Sequence, residues 1–125
     1  MKQIISAKDA PAAIGPYSQA ILINGTLYLS GQIPINPATG QINAEGITDQ
    51  THQVLKNIGA LLKAAGYDYS DVVKSTCLLS NMDDFKEMNQ VYSQYYKENH
   101  PVRTTYGVVK LPLNALIEIE TIAVK

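Results

Sequence analysis

The dipeptide Asn24-Gly25 is the strongest local constraint on how this chain can fold. Apolar, strand-like residues flank it at positions 21–23 and 26–29. Asn and Gly readily take the positive φ angles of a tight turn between antiparallel strands. The sequence therefore predicts a β-hairpin here, and with it an antiparallel sheet.

Two later stretches have the 3.6-residue apolar period of an amphipathic helix. In the first, apolar residues recur from Ile47 to Ala65 and stop before Gly66, a residue type that favours the end of a helix. The second follows Asn81, which can cap it, and should end at His100-Pro101. Its apolar stripe consists of Phe85, Met88, Val91, Tyr92 and Tyr95.

The remaining segments are predicted to be strands and loops. Strands are expected at residues 2–6, 72–79, 104–109 and 116–124, which are rich in β-branched and apolar residues. The prolines and glycines of residues 30–40 predict an ordered loop. The order β, β-hairpin, α, β, α, β, β gives an α+β sandwich, in which two helices cover one face of a mostly antiparallel sheet.

A sheet covered on one face only leaves its other face exposed. The 125 residues suffice for one domain, spanning 1–125, whose core needs neither disulfide nor metal. An uncovered apolar face would aggregate, and its natural cover is another copy of the chain. On the last strand, alternation places Glu118 and Glu120 on one face, where each needs a cation, a donor or water.

Composition argues against several classes of function. The formal net charge of −1 and the lack of a Lys/Arg run provide no basic field for nucleic acid. The single cysteine, Cys77, forbids an internal disulfide, and no Cys/His cluster suggests a metal site. The first residues lack the apolar core of a signal peptide, and no segment is long enough to span a membrane. We expect a soluble, cytoplasmic protein.

Arg103 is the only arginine beside nine lysines. A guanidinium offers a fork of donors that matches a carboxylate or phosphate with two hydrogen bonds, which a lysine cannot reproduce. The lone arginine therefore indicates recognition of an anion. The alternative is an arginine that pairs with Glu118 or Glu120, or one that is simply solvated.

Other reactive side chains do not form a catalytic set. No nucleophile with a base, metal constellation or phosphate loop can be assembled. His52, on the polar side of the first helix, and His100, at a helix end, are expected to be solvated or capping. Cys77 lies among Leu and Val residues and is expected to fill the core.

Segments over nearly the whole chain resemble the Rid family, also called the YjgF/YER057c/UK114 family, and specifically its enamine/imine deaminase branch. Each motif is weak alone, but their order and spacing are specific. The matching positions are residues 10–19, 30–34, 64–66, 73–74, 101–103, 111–112 and 117–120, together with Asn57, Phe85, Asn89 and Tyr92.

This resemblance implies a chorismate-mutase-like fold and a homotrimer with clefts between neighbouring subunits. Family members hydrolyse reactive 2-imino acids, such as 2-iminobutyrate and 2-iminopropanoate, to the 2-keto acid and ammonia, a form of metabolite damage control. They need no metal or organic cofactor. We therefore expect a hydrolase whose substrate is a small 2-imino acid, without cofactor, nucleic acid or membrane as a partner.

Carried over position by position, the resemblance assigns roles to individual residues. Arg103 matches the arginine that grips the substrate carboxylate, and Glu118 matches the glutamate that holds the attacking water. The positions that match the pocket lining are Tyr17, Ser30, Gly31, Asn89 and Thr105.

The segment that begins at Arg103 departs twice from the family's usual Arg-Ser-Cys-Val-Glu-Val. Thr105 replaces the pocket cysteine but keeps a small polar side chain and the same backbone carbonyl. Gly107 replaces a glutamate and removes a charge from the strand. We expect this second change to affect the interface or the range of substrates more than activity itself.

Two other functions would use the same residues. A trimeric sensor of 2-keto acids or other carboxylates would bind through Arg103 without turnover and could lose Glu118, whereas an enzyme that positions water could not. RNA cleavage or translation inhibition, attributed to some family members, is the weaker third alternative because the net charge is close to zero.

Overall fold

A computed structural model describes residues 1–125 as one six-stranded sheet with two α-helices. The strands are β1 (Gln3–Ile5), β2 (Ala20–Ile23), β3 (Thr26–Gln32), β4 (Val72–Leu79), β5 (Val102–Gly107) and β6 (Ile117–Val124). The helices are α1 (Ile47–Ala64) and α2 (Phe85–Tyr95), and short 3₁₀ turns lie at Tyr69–Asp71, Met82–Asp84 and Pro112–Asn114.

The strand order across the sheet is β1-β2-β3-β6-β4-β5. Every neighbouring pair is antiparallel except β4 and β5, which are parallel and are connected through α2. A parallel pair needs such a crossover, because its strands must begin at the same end of the sheet. The predicted α+β class, element order and mostly antiparallel sheet are confirmed.

The hairpin and the first helix follow the sequence pattern closely. Asn24 and Gly25 have φ angles of 49° and 80°, and the flanking residues Ile23 and Thr26 pair directly. Helix α1 is followed by Gly66 with a φ of 79°. Both features are determined by residues close in sequence, which is why the local sequence pattern predicts them.

The second helix is shorter than predicted. Asn81 does cap a helical start, since its Oδ1 accepts from the backbone N–H of Asp83 at 2.9 Å, but this start is the 3₁₀ turn that precedes α2. At the other end the chain leaves the helix at Tyr96 (φ −114°, ψ 85°), well before His100. The buried Tyr96 ring packs edge-to-face against Tyr69, with the ring centroids 5.7 Å apart, so tertiary packing ends the helix before Pro101 can.

Strand β3 continues into the region predicted as a loop. Ser30 and Gly31 belong to the strand, and Gln32 pairs with Ile119 of β6 beyond a bulge. The prediction of a loop is therefore wrong for residues 30–32. Pairing with β6, a partner distant in sequence, keeps the chain extended there despite the glycine.

The core lies between the helices and one face of the sheet. Leu55, Ile58 and Leu61 of α1 face Ile117 and Ile119 of β6, and all five side chains are inaccessible to solvent. Full burial of each of these side chains stabilises the folded state by about 1.5–3 kcal/mol. Strand β6, which carries Glu118, is thus anchored on this core, and β5, which carries Arg103, pairs with the core strand β4.

The opposite face of the sheet, called here the open face, carries no helix. Ile4, Ile21, Tyr28 and Ile122 form a row across β1, β2, β3 and β6 on this face. Ile4 is 59% exposed and Tyr28 is 49% exposed. An apolar row of this kind is typical of a surface that another protein chain covers.

The length and apolarity needed to cross a lipid bilayer are found in neither helix.

Asn57 ties α1 to the segment after β3. Its Nδ2 donates to the carbonyls of Ile33 at 3.3 Å and Ile35 at 2.9 Å, and the residue is 1% exposed. We expect Asn57→Ala to lower the free energy of unfolding by about 2–4 kcal/mol, because two carbonyls lose their partner.

Urea unfolding at one fixed protein concentration measures this effect. The control is Asn43→Ala, an exposed asparagine, for which we expect about 0.5 kcal/mol or less. Equal losses for the two variants would contradict the anchoring role of Asn57.

Candidate functional site

Arg103 and Thr105 lie on the helix-covered face of the edge strand β5. Arg103 pairs in register with Ser75 of β4, and Thr105 with Cys77. Ser75 and Cys77 are both fully buried beneath the helices. Because directly paired residues share a face, the arginine extends from beside the core towards α2.

The guanidinium of Arg103 rests against aromatic rings of α2. Its Cζ lies 4.9 Å from the ring centroid of Tyr92 and 5.6 Å from that of Phe85. A cation over an aromatic face is attracted by the negative charge of the ring's π system.

An open groove of about 440 Å³ surrounds the guanidinium. It is lined by Asn89, Tyr92, Ser93, His100, Pro101 and Arg103. Asn89 Oδ1 and Thr105 Oγ1 are buried and have no hydrogen-bond partner. Buried polar atoms are usually paired, so these two can bind polar groups of a ligand or of another chain. We call this region the arginine groove.

Glu118 lies on the open face, with Gly31 directly beneath its carboxylate. The residue pairs in register with Leu78 of β4, and its side chain is half-buried. A Cβ at position 31 would collide with the carboxylate. Gly31 therefore leaves the space that the Glu118 carboxylate occupies, and a side chain at position 31 would displace this carboxylate. The bulge of β3 lies between Leu29 and Gln32, next to Gly31.

Tyr17 and Ser30 lie beside Gly31 and Glu120, and together with Gly31 and Glu118 they are called here the glutamate region. Ser30 Oγ donates to the carbonyl of Ser18 at 2.6 Å, which holds the loop before β2 against β3. Tyr17 shares a surface depression of about 470 Å³ with Ser30 and Glu120, and a smaller one with Gly31. It also borders the largest depression, about 610 Å³ beside β1, which does not include Arg103.

Burial raises the pKa of the Glu118 carboxyl above its ordinary value, and the nearby charge of Glu120 raises it further. Both carboxylates lie on the open face, as the alternation of β6 predicts. Arg103 lies on the other face, so the alternative in which it pairs with Glu118 or Glu120 is wrong for this chain. A carboxylate with a raised pKa is well suited to exchange protons with a bound water.

The seven candidate residues therefore form two groups. Arg103 and Asn89 line the arginine groove, and Thr105 lies on the same face of β5 as Arg103. Tyr17, Ser30, Gly31 and Glu118 form the glutamate region. The sheet separates the two regions, so one small substrate cannot contact both Arg103 and Glu118 of the same chain.

The histidines take different positions from one another. His52 was expected to be solvated or capping, but its Nδ1 lies 2.8 Å from Tyr95 Oη, so it connects α1 to α2. His100 is exposed, as expected, and lies at the edge of the arginine groove. No three His, Cys, Asp or Glu side chains are arranged to hold a metal ion.

Known proteins match almost the whole of this chain. The family profile described as Endoribonuclease L-PSP matches residues 7–125. The human protein named 2-iminobutanoate/2-iminopropanoate deaminase is 47% identical over 125 residues, which is 100% of this chain and 91% of that protein. The chain belongs to this family, also called the Rid family.

Solved structures show the same Rid-family fold. A Yersinia pestis protein of the conserved Rid family, YyfA, matches with a TM-score of 0.97 at 49% identity, covering 100% of both chains. Escherichia coli TdcF with bound serine matches with a TM-score of 0.94 at 39% identity, covering 98% of both chains.

The two departures from the Rid-family pattern lie on the same face of β5 as Arg103. Thr105 has a buried hydroxyl without a hydrogen-bond partner. At position 107, a Cβ would lie 2.8 Å from Met82 Cγ, so Gly107 accommodates the Met82 side chain. The expected effect of Gly107 on the interface or on substrate range stays a prediction.

Sequence reasoning missed the contact of Arg103 with Phe85 and Tyr92, which it had assigned to the apolar stripe of the helix. The spacing of Phe85, Asn89 and Tyr92 places the three on one face of α2. A polar Asn between two aromatic residues on that face was the available signal. The pairing of this face with β5 needs the three-dimensional structure.

Cys77 is confirmed as a core residue. Its side chain is fully buried, and burial raises the pKa of the thiol to about 11, despite the opposing effect of the Arg103 charge. The thiol is therefore neutral and inaccessible at physiological pH. We expect Ellman's reagent at pH 8 to leave the native protein unmodified and to react with one thiol per chain after denaturation.

The companion variant is Cys77→Ser, which should keep any activity that depends on Arg103. Rapid labelling of the native protein would show that this reading of Cys77 is wrong.

Proposed function

We propose that this protein is a 2-imino acid deaminase that hydrolyses 2-iminobutanoate and 2-iminopropanoate to the 2-keto acid and ammonia. The observation that carries the proposal is the lone Arg103, held against two aromatic rings in an open groove that contains unpaired polar atoms. The 47% identity to a human protein named for this activity supports the same substrate class.

Arg103 binds the substrate carboxylate in this proposal. A guanidinium fork that makes two parallel hydrogen bonds to a carboxylate fixes both the position and the plane of a small substrate. The imine carbon, one bond away from the carboxylate, is then placed to within a fraction of an ångström. Orientation of this kind contributes much of the rate acceleration of a reaction that starts from an activated substrate.

Glu118 positions and deprotonates the attacking water. Water adds to the carbon of the protonated imine while its proton passes to the Glu118 carboxylate, which gives a carbinolamine. The carboxyl then returns this proton to the nitrogen. As the C–N bond breaks, the hydroxyl group of the carbinolamine gives its proton to the Glu118 carboxylate and becomes the carbonyl of the 2-keto acid. The departing ammonia takes that proton from Glu118 and leaves as ammonium. The raised pKa of Glu118 favours these transfers, because it makes the carboxylate a stronger base towards the attacking water.

Two copies of the chain are needed to assemble this site. We propose a homotrimer in which the arginine groove of one subunit faces the glutamate region of the next. The exposed apolar row on the open face supports burial between copies. The unpaired atoms of Asn89 and Thr105 then contact substrate or the neighbouring subunit. Tyr17 and Ser30 close the pocket beside Glu118, and Gly31 leaves room for its carboxylate.

A sensor of small carboxylates is the second candidate function. The Escherichia coli relative TdcF has been solved with bound serine, which shows that a protein of this fold binds an amino acid. A sensor would need Arg103 but not a water held by Glu118. RNA cleavage, which the family description names, is disfavoured by the formal net charge of −1. The predicted cytoplasmic location and single-domain organisation stay part of the proposal.

The direct assay generates 2-iminobutanoate in place with a threonine dehydratase. Release of 2-oxobutanoate is followed with and without this protein, at constant dehydratase activity. The proposal expects faster release that scales with the concentration of the protein. If release stays at the spontaneous rate while 2-oxobutanoate binds, the sensor is the better description.

Substitution of Arg103 tests carboxylate recognition. We expect Arg103→Ala to remove about 2–4 kcal/mol of transition-state stabilisation, a loss in kcat/KM between tens-fold and about a thousand-fold. Arg103→Lys should recover little, because a lysine keeps the charge but loses the fork.

An imine without a carboxylate is the control substrate for Arg103. It should be turned over poorly by the wild type and be nearly insensitive to both substitutions. An Arg103→Ala protein that hydrolyses 2-iminobutanoate at the wild-type rate would refute the assignment.

Glu118→Gln keeps the shape of the side chain but removes its charge. We expect kcat to fall while the affinity for 2-oxobutanoate stays within about threefold. The thermal stability of this variant, in contrast to its kcat, should rise at neutral pH. A carboxyl whose pKa is raised on folding favours the folded state while protonated, and this contribution is lost as the pH rises through the folded pKa.

Thermal unfolding at two pH values separates these effects. At pH 7 the glutamine variant should unfold at a higher temperature than the wild type, and near pH 3 the difference should vanish. Glu120→Gln should shift the acid limb of the activity profile to lower pH, because it removes a charge that raises the pKa of Glu118. Wild-type activity in Glu118→Gln would return this residue to a structural role.

A further inference from the structure

The Arg103 side chain has four rotatable bonds, and its orientation must come from its surroundings. The two aromatic contacts in this chain are unequal, with Tyr92 at 4.9 Å and Phe85 at 5.6 Å from Cζ. Tyr92 is 6% exposed, whereas Phe85 is only partly buried at the start of α2. The nearer ring is thus also the better fixed of the two.

Tyr92 is itself held from two directions. Its Oη donates to Ser75 Oγ at 2.9 Å in the buried interior. Its ring contacts Tyr96, with the centroids 4.5 Å apart. Ser75 is also the residue of β4 that pairs in register with Arg103. The anchor of the ring and the backbone of the arginine therefore lie side by side on neighbouring strands.

We propose that Tyr92 is a positioning residue for Arg103. The face of its ring sets the plane of the guanidinium, so that the donor fork points into the groove before any ligand arrives. Ser75 and Tyr96 hold the ring in that orientation. This inference deepens the proposed function, on which its catalytic consequence rests.

A tyrosine that only fills the core would behave differently. Its removal would lower stability and leave the orientation of the guanidinium unchanged. Removal of a positioning ring leaves the guanidinium mobile. Part of the free energy of carboxylate binding is then lost to ordering the arginine side chain. The loss falls on carboxylate affinity and on KM. It depends mainly on the aromatic face, because Tyr96 still holds the ring when the hydroxyl is removed.

NMR can observe the guanidinium directly because Arg103 is the only arginine. Its Nε–Hε correlation is a single, unambiguous signal. Stacking on Tyr92 should shift this proton upfield of the position in the unfolded chain. We expect Tyr92→Phe to keep most of the shift and Tyr92→Leu to lose most of it, measured near pH 6 where exchange with water is slow.

Calorimetric titration with 2-oxobutanoate measures the consequence. Tyr92→Leu should weaken binding by about 3- to 30-fold, the range expected for a cation–π contact. Tyr92→Phe should stay within about threefold of the wild type. If Tyr92→Leu does not fold, Tyr92→Met fills more of the vacated space and serves the same purpose.

Tyr67→Leu is the matched control. Tyr67 also donates its hydroxyl to a backbone carbonyl, that of Gly25 at 2.7 Å, and also lies under a cation, Lys125 at 5.6 Å. It contributes nothing to the arginine groove. We expect its loss to change neither the Nε–Hε signal nor the affinity.

The outcomes separate the inference from the function. An unchanged Nε–Hε signal in Tyr92→Leu overturns the positioning role, whatever the activity. Equal loss of affinity in Tyr67→Leu also overturns it, because the effect would then be general destabilisation. If the wild type binds no 2-oxobutanoate but the signal shifts as expected, the positioning role stands and the proposed function fails.

Discussion

Side-chain alternation across one sheet is the constraint on which the rest of this structure depends. Arg103 shares the helix-covered face with Ser75, while Glu118 lies on the open face. No adjustment of rotamers can bring the two together within a chain, because a layer of hydrogen-bonded backbone lies between them. A reaction that needs both groups must therefore use two copies of the chain. Contact between copies at the open face would also bury its exposed apolar row.

The two regions also differ in their electrostatics, as their proposed roles require: Arg103 binds a carboxylate, and Glu118 accepts a proton. Arg103 rests on the aromatic face of Tyr92, which holds the positive charge without neutralising it. Glu118 is placed over Gly31, where burial and a second carboxylate raise its pKa. The raised pKa makes Glu118 a stronger base than an ordinary glutamate, as a group that accepts a proton from water requires. An imine substrate needs little more, because its carbon is already electrophilic once the nitrogen is protonated.

The sequence predicts what is decided locally and by family resemblance. The hairpin at Asn24-Gly25 and the bounds of β4 follow from turn chemistry and β-propensity. The roles of the seven candidate residues stay a prediction from the family resemblance. Features decided by distant partners were missed. Pairing with β6 extends β3 through Gly31, and the packing of Tyr96 against Tyr69 ends α2 early. The separation of Arg103 from Glu118 depends on register, which no local pattern specifies.

Subunit complementation tests the central claim, that each site combines Arg103 of one copy with Glu118 of another. Arg103→Ala and Glu118→Gln chains, each inactive alone, are unfolded together and refolded in equal amounts. Random mixing in a trimer should restore about one quarter of wild-type imine hydrolysis. Each site needs an intact Arg103 from one chain and an intact Glu118 from the next, and each condition is met in about half of the cases. Wild type mixed with the double variant should likewise retain about one quarter, against about one half for sites within a chain. A mixture of the two single variants that stays inactive, while mixed trimers are present, would contradict the account.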